Sequence, residues 1–128
     1  MVDTEGGLFL RPEDLAKIGY LYLHHGVWNG QQLVSEDWVK QSLTPAIDAE
    51  EGMKYGFQWW LIPHGEPERL AWTCLGSGGQ RMLIFPENDL IMVFTGWKIL
   101  GNGDTFESRD VMKRLLPAVH EQACKVTR

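Results

Sequence analysis

The sequence predicts an α+β fold, with an antiparallel sheet of about three to four strands, two helices before it and one after. Three observations carry that prediction. Apolar residues recur at helical spacing in the first 45 residues, at Leu15, Ile18 and Tyr22 and again around Val39. Three apolar, β-prone runs follow between Leu70 and Trp97, separated by short turn-forming stretches. Helical spacing then returns at Val111, Leu115 and Val119. Residues 1–128 read as one segment: a helical part over 1–45, antiparallel strands over 55–97 and a C-terminal helix over 104–124.

Pro12 suits the first position of a helix, and Glu13 and Asp14 favour its positive end. Gly26, after His24 and His25, suits the left-handed residue that closes it. Asn29-Gly30 then predicts a two-residue hairpin turn within Val27 to Val34. Ser35 caps a second helix from Glu36 to about Leu43, with Val34 and Val39 placed as a hydrophobic staple and Thr44-Pro45 as its stop. Residues 46–54 are polar and read as a surface loop. Tyr55 to Ile62 is aromatic-rich and reads as a strand ended by Pro63. Leu70–Leu75, Gln80–Phe85 and Leu90–Trp97 are further strands, the last two joined by the turn Pro86-Glu87-Asn88-Asp89 and so antiparallel. Asp104 or Thr105 caps the final helix, which Pro117 is expected to kink or split.

Composition narrows the functional classes. A chain of 128 residues, 44% hydrophobic and 23% charged, suffices for one domain with a real core. Its net charge of −5 and scattered Lys and Arg argue against nucleic acid or an anionic membrane as main partner. No apolar run reaches transmembrane length, and the polar start MVDTEGG does not read as a signal peptide. Cys74 and Cys124 read as two reduced thiols, since nothing resembles a disulfide framework. Compartment stays open.

The stretch Cys74-Leu75-Gly76-Ser77-Gly78-Gly79-Gln80-Arg81-Met82 is the one candidate for chemistry. A dinucleotide fingerprint fails because Arg81 stands where its third glycine belongs. A phosphate-binding loop would need Gly-Lys-Ser/Thr, and a nucleophile elbow would need glycine where Leu75 stands. Each also requires a helix next, whereas a strand is predicted. What survives is a strand opened at glycines, leaving main-chain N–H groups able to meet an oxyanion or carboxylate. A bulge or tight corner without a ligand explains the same residues and is the simpler reading of the motif alone.

Other residues point to packing. His24, His25, His64 and His120 lack metal-ligand spacing, and no metal or other cofactor is expected. Cys74 sits in an apolar alternation as a small core residue. Trp59 and Trp60 take opposite faces of a strand, one for the core and one for a groove.

Four stretches taken together resemble a known family: GGLFLRPEDLAKIGYLYLHHGVWNGQQLVSEDWV, YGFQWWL, LGSGGQRMLIFPENDLIMVFTG and LLPAV. In this order they look like the carboxy-terminal part of serine beta-lactamase-related hydrolases, the superfamily of class C beta-lactamases, penicillin-binding D-amino-acid peptidases, esterases and nylon-oligomer hydrolases. The resemblance covers nearly the whole chain. It implies a Ser-x-x-Lys nucleophile, a Tyr-x-Asn-type tyrosine and a Lys/His-Ser/Thr-Gly strand beside the site. Ser35, Ser42, Ser77 and Ser108 are followed three residues on by Trp38, Pro45, Gln80 and Val111, so no Ser-x-x-Lys exists. Tyr20, Tyr22 and Tyr55 likewise lack the asparagine two residues on. Only the third motif is placed, on Gly76-Ser77-Gly78, with Gly76 where the family carries a cation.

The resemblance therefore implies no catalytic residue in this chain and a substrate- or oxyanion-side strand at Gly76, Ser77, Gly78 and Gly79. Loss of the cation favours an esterase or amidase over a true beta-lactamase. The expected partners are an amino-terminal catalytic half or a second copy of the chain, with a small ester or amide as substrate of the full-length protein. A non-catalytic ligand-binding or assembly module derived from the same fold is the alternative.

Overall fold

The computed structural model describes residues 6–96 and 111–119. Its centre is a six-stranded antiparallel sheet whose strands lie in simple sequence order, preceded by two helices and a small hairpin. Helix α1 spans Pro12–Leu23, with Pro12 in its first turn and Glu13 and Asp14 beside it. It closes through two left-handed residues, His25 and Gly26, and the Gly26 N–H donates to the Leu21 carbonyl at 2.7 Å. Strands β1 (Val27–Trp28) and β2 (Gln31–Gln32) form the expected hairpin. Both turn residues, Asn29 and Gly30, have positive φ, as the mirror-image turn that matches strand twist demands. Helix α2 spans Glu36–Ser42 and is capped by Ser35, whose hydroxyl accepts from the Trp38 N–H at 3.2 Å.

The sheet departs from expectation in three ways. It has six strands rather than three or four, because residues 46–54 are not simply a loop: they hold β3 (Ile47–Asp48) and the start of β4 (Lys54–Tyr55). Such two-residue strands carry no period to detect, which is why composition alone reads as surface. The predicted strand over 55–62 is broken at Gly56 to Trp59, where Gln58 has φ of 64° and the Gly56 N–H donates to the Trp59 carbonyl. The chain then resumes as β5 (Trp60–His64), running through Pro63 rather than stopping there. Pairing with β4 ends at Leu61, so the missing Pro63 N–H costs no bond on that flank.

Strands β6 (Arg69–Leu75), β7 (Gln80–Phe85) and β8 (Leu90–Thr95) match their expected positions closely. The helical segment over residues 111–119, here α3, continues through Pro117 without splitting. The rest of the predicted 104–124 helix, with its cap, lies outside the described residues.

Alternation along the strands makes two cores. On one face Leu61, Met82 and Ile84 pack with Trp59, and Leu15, Tyr22 and Leu23 of α1 cover them. On the other, Ala71, Leu83, Phe85 and Met92 lie beneath Met112 and Leu116 of α3. Strand β7, next to the last in the sheet, is thus buried on both faces, with Leu83, Ile84 and Phe85 fully inaccessible. No described helix is long and apolar enough to cross a membrane.

Candidate functional site at the end of strand β6

Strand β6 has different neighbours along its length. From Arg69 to Thr73 it pairs with β5 on one side, ending at Thr73 opposite Trp60. Cys74 and Leu75 pair only with β7, opposite Met82 and Arg81. The break at Gly56 to Trp59 has turned the chain away, so among the described residues no strand pairs with the outer edge of β6 where the glycine stretch begins. A bare strand edge presents N–H and C=O groups to whatever extended ligand lies beside it.

Beyond Leu75 the chain makes a single 3-10 turn, Ser77–Gly79, and re-enters the sheet as β7. Gly78 and Gly79 have φ of 73° and 87°, the left-handed region where a side chain is strained. The loop is closed by the Gly76 N–H, which donates to the Gln80 carbonyl at 2.8 Å. That donor is spent. Within the turn Gly78 is non-helical, with φ of 73° and ψ of 20°, so the segment is a kinked corner rather than the start of a helix. Gly76, Ser77 and Gly79 are exposed and Gly78 half-buried, so the turn stands at the surface.

Two close approaches explain the glycines further. A Cβ on Gly76 would lie 2.9 Å from the Gln80 Cβ and 3.0 Å from its Oε1. The Gln80 side chain therefore lies against the position where the resembled family carries a cation. Sequence reasoning passed over Gln80, because a lone glutamine at a strand start gives no signal. Gly96 closes the other side: a Cβ there would stand 2.8 Å from the Gly78 carbonyl oxygen. The turn is a tight corner built by backbone-to-backbone packing, as well as an open one.

The remaining expected residues fall elsewhere. Cys74 is half-buried against the Trp59 core, and burial pushes its thiol up to about 11, so it is no nucleophile. Cys124 and His120 lie outside the described residues. His24 bonds its ring Nδ1 to the Tyr20 carbonyl region at 3.0 Å. His64 Nε2 lies 3.0 Å from Glu87 Oε1, with Arg69 Nη1 at 4.0 Å from the same oxygen. Burial lowers the His64 pKa, against the opposing pull of Glu87. Trp59 enters the core while Trp60 lines a shallow groove with Tyr55 and Ile47, as their opposite faces predicted. Among the described residues no group of three His, Cys, Asp or Glu side chains could hold a metal ion.

No model of a known protein family matches the chain. Over 100 residues, 70% of its length, the chain is 29% identical to the 6-aminohexanoate-dimer hydrolase of Paenarthrobacter ureafaciens. It spans only 25% of that protein. Among solved structures it superposes on a putative 6-aminohexanoate-dimer hydrolase from Bacillus anthracis with a TM-score of 0.65 and 24% identity. That match covers 88% of this chain and 29% of the other. The chain thus has the fold of a part of that hydrolase, mixed helix and antiparallel sheet, and is similar in sequence to about a quarter of a curated one.

Proposed function

We propose that this chain is the carboxy-terminal portion of a serine hydrolase with a beta-lactamase-like fold, an esterase or amidase. In this reading it supplies one wall of the active site and neither nucleophile nor base. The observation that supports it most is the edge of β6 at Cys74 and Leu75, which pairs with no strand but β7 among the described residues and runs into the exposed glycine turn at Ser77 and Gly78. A carbonyl substrate laid along that edge would place its developing oxyanion within reach of main-chain donors, the geometry acyl transfer needs. Similarity to proteins named 6-aminohexanoate-dimer hydrolase agrees with a hydrolytic parent protein. The nucleophile and its proton relay would come from the part of the protein corresponding to the remainder of those longer relatives, or from a second chain.

With no Ser-x-x-Lys in its sequence, the chain by itself should not turn over a chromogenic ester or nitrocefin. Serine-dependent turnover blocked by a covalent phosphonate would overturn the reading. One observation favours the alternative of a non-catalytic module: packing against Gly96 gives the glycines an architectural reason that needs no chemistry. Saturable binding of an acylated peptide that Gly78→Val abolishes, with no companion chain able to restore turnover, would favour that module.

A further inference from the structure

Strand β8 (Leu90–Thr95) is the last strand of the sheet and pairs with β7, so its outer edge meets no strand among the described residues. Natural sheet edges are short, or carry charges, proline or a bulge that keeps another strand from adding. The run Leu-Ile-Met-Val-Phe-Thr has none of these, and its register with β7 is unbroken from Thr95 opposite Gln80 to Leu90 opposite Phe85. Ile91 and Val93 pack with the core under α1, and Leu90, Met92 and Phe94 with the core under α3. A run that is apolar throughout and covered on both faces has the composition of an interior strand. Yet Leu90, Ile91, Val93 and Phe94 stay half-buried, whereas Met82 to Phe85 of β7 are buried. The helix above has the same character. A Cβ on Gly19 would stand 3.1 Å from Ile91 Cγ2, so α1 lies directly on β8. From Ile18 to Leu23 that helix carries no charged side chain, and Ile18 and Leu21 are half-buried outside the core cluster. In a chain of net charge −5, an uncharged flank is where a second copy approaches at least electrostatic cost.

We propose that β8 pairs antiparallel with β8 of a second copy of this chain, joining two sheets across a twofold axis. Among the described residues this is the longest unpaired edge. The edge strand β3 has only 2 residues, the free stretch of β5 at Ile62–His64 contains Pro63, and β6 is free only at Cys74 and Leu75. Another β8 is the one edge that matches its length. In an antiparallel ladder alternate residues turn N–H and C=O outward, and an outward residue pairs with an outward one. Full overlap therefore puts the twofold at Met92 or at Val93. The axis is normal to the sheet, so the two α1 faces stay on one side and the two α3 faces on the other, and both cores run on across it. A twofold contact closes on itself and gives a dimer, not a fibre. The proposal does not depend on the hydrolase reading, since β8 lies two strands from the edge at Cys74 and Leu75.

Sedimentation equilibrium and amide hydrogen exchange of the full chain test it together. A reversible dimer is expected. The outward amides of β8 should exchange roughly tenfold or more slowly where the dimer prevails than after dilution below its Kd. In a Cys74→Ser, Cys124→Ser background, Met92→Cys or Val93→Cys should form an intermolecular disulfide on mild oxidation. Ile47→Cys, on the opposite edge of the sheet, should not. The proposal is overturned by a monomer at every concentration, the result expected if this edge awaits a strand from another protein or from the remainder of a longer one. It is equally overturned by β8 amides protected alike at all concentrations, since the chain's own residues would then cover the edge. A dimer captured by Ile47→Cys and by neither β8 cysteine also overturns it. Should the cysteine variants fail to fold, the concentration dependence of exchange in the unmodified chain decides alone.

Discussion

Replacing Gly96 by Ala is the sharpest test of how the glycine corner is held. The new methyl would stand 2.8 Å from the Gly78 carbonyl oxygen and 2.9 Å from the Gly79 carbonyl carbon and oxygen. Its neighbours are backbone, which cannot rotate away as a side chain tip can. Restoring an ordinary contact of 3.4 Å requires the turn to retreat by about 0.6 Å. Overpacking of this kind costs about 1–3 kcal/mol, offset by roughly 0.4–1 kcal/mol from the reduced freedom of the unfolded chain. The net loss of about 1–2 kcal/mol should lower Tm by roughly 3–10 °C for a domain of this size. Thermal unfolding measures the loss, and amide chemical shifts of Ser77, Gly78 and Gly79 report the displacement. Gly6→Ala is the control, because a Cβ there meets nothing within 4 Å. If Gly96→Ala melts with the control and leaves those amides unmoved, the turn is not seated on Gly96 and its glycines need another explanation.

Three further outcomes are expected. Phe85→Ala removes a fully buried ring from the core beneath α3 and should cost about 3–5 kcal/mol, seen in denaturant unfolding. In a Cys124→Ser background, a thiol reagent at pH 8 should modify Cys74 roughly a hundredfold more slowly in the folded chain than in urea, since burial raises its thiol from 9.0 to about 11. His64 has its pKa lowered, first by burial, with Glu87 opposing and Arg69 assisting. Between that lowered pKa and the ordinary 6.5 the unfolded chain binds more protons, so stability from this group is present above pH 6.5 and declines as pH falls below it. His64→Gln should flatten that limb of a Tm-against-pH curve; an unchanged slope would show that the His64–Glu87–Arg69 cluster does not set it.

Periodicity and punctuation reveal those elements that are long and locally consistent. Strand β7 is legible because Gln80 to Phe85 is bounded by glycines on one side and Pro86 on the other, and it matches its expected limits. The Asn29-Gly30 turn and the Ser35 cap are legible for the same reason, each being fixed by the chemistry of one or two residues. Strands β3 and β4 are not, since two residues each hold no pattern and their pairing is decided by the sheet they join. Pro63 misleads because its cost depends on whether the flanking strand reaches it, a tertiary fact absent from the local sequence. Pro117 does not split its helix, the helical segment continuing to residue 119.

The candidate site divides along the same line. That Gly76 to Gly79 opens a strand follows from the residues; what the opening is for depends on three partners distant from it. The break at Gly56 to Trp59 bares the edge of β6, Gly96 supports the turn from beneath, and Gln80 lies against Gly76. The last contact limits what position 76 can hold. Any side chain at 76 would have to displace Gln80, whose Cβ lies 2.9 Å from where a Cβ at 76 would stand. Gly76 and Gln80 are therefore one unit.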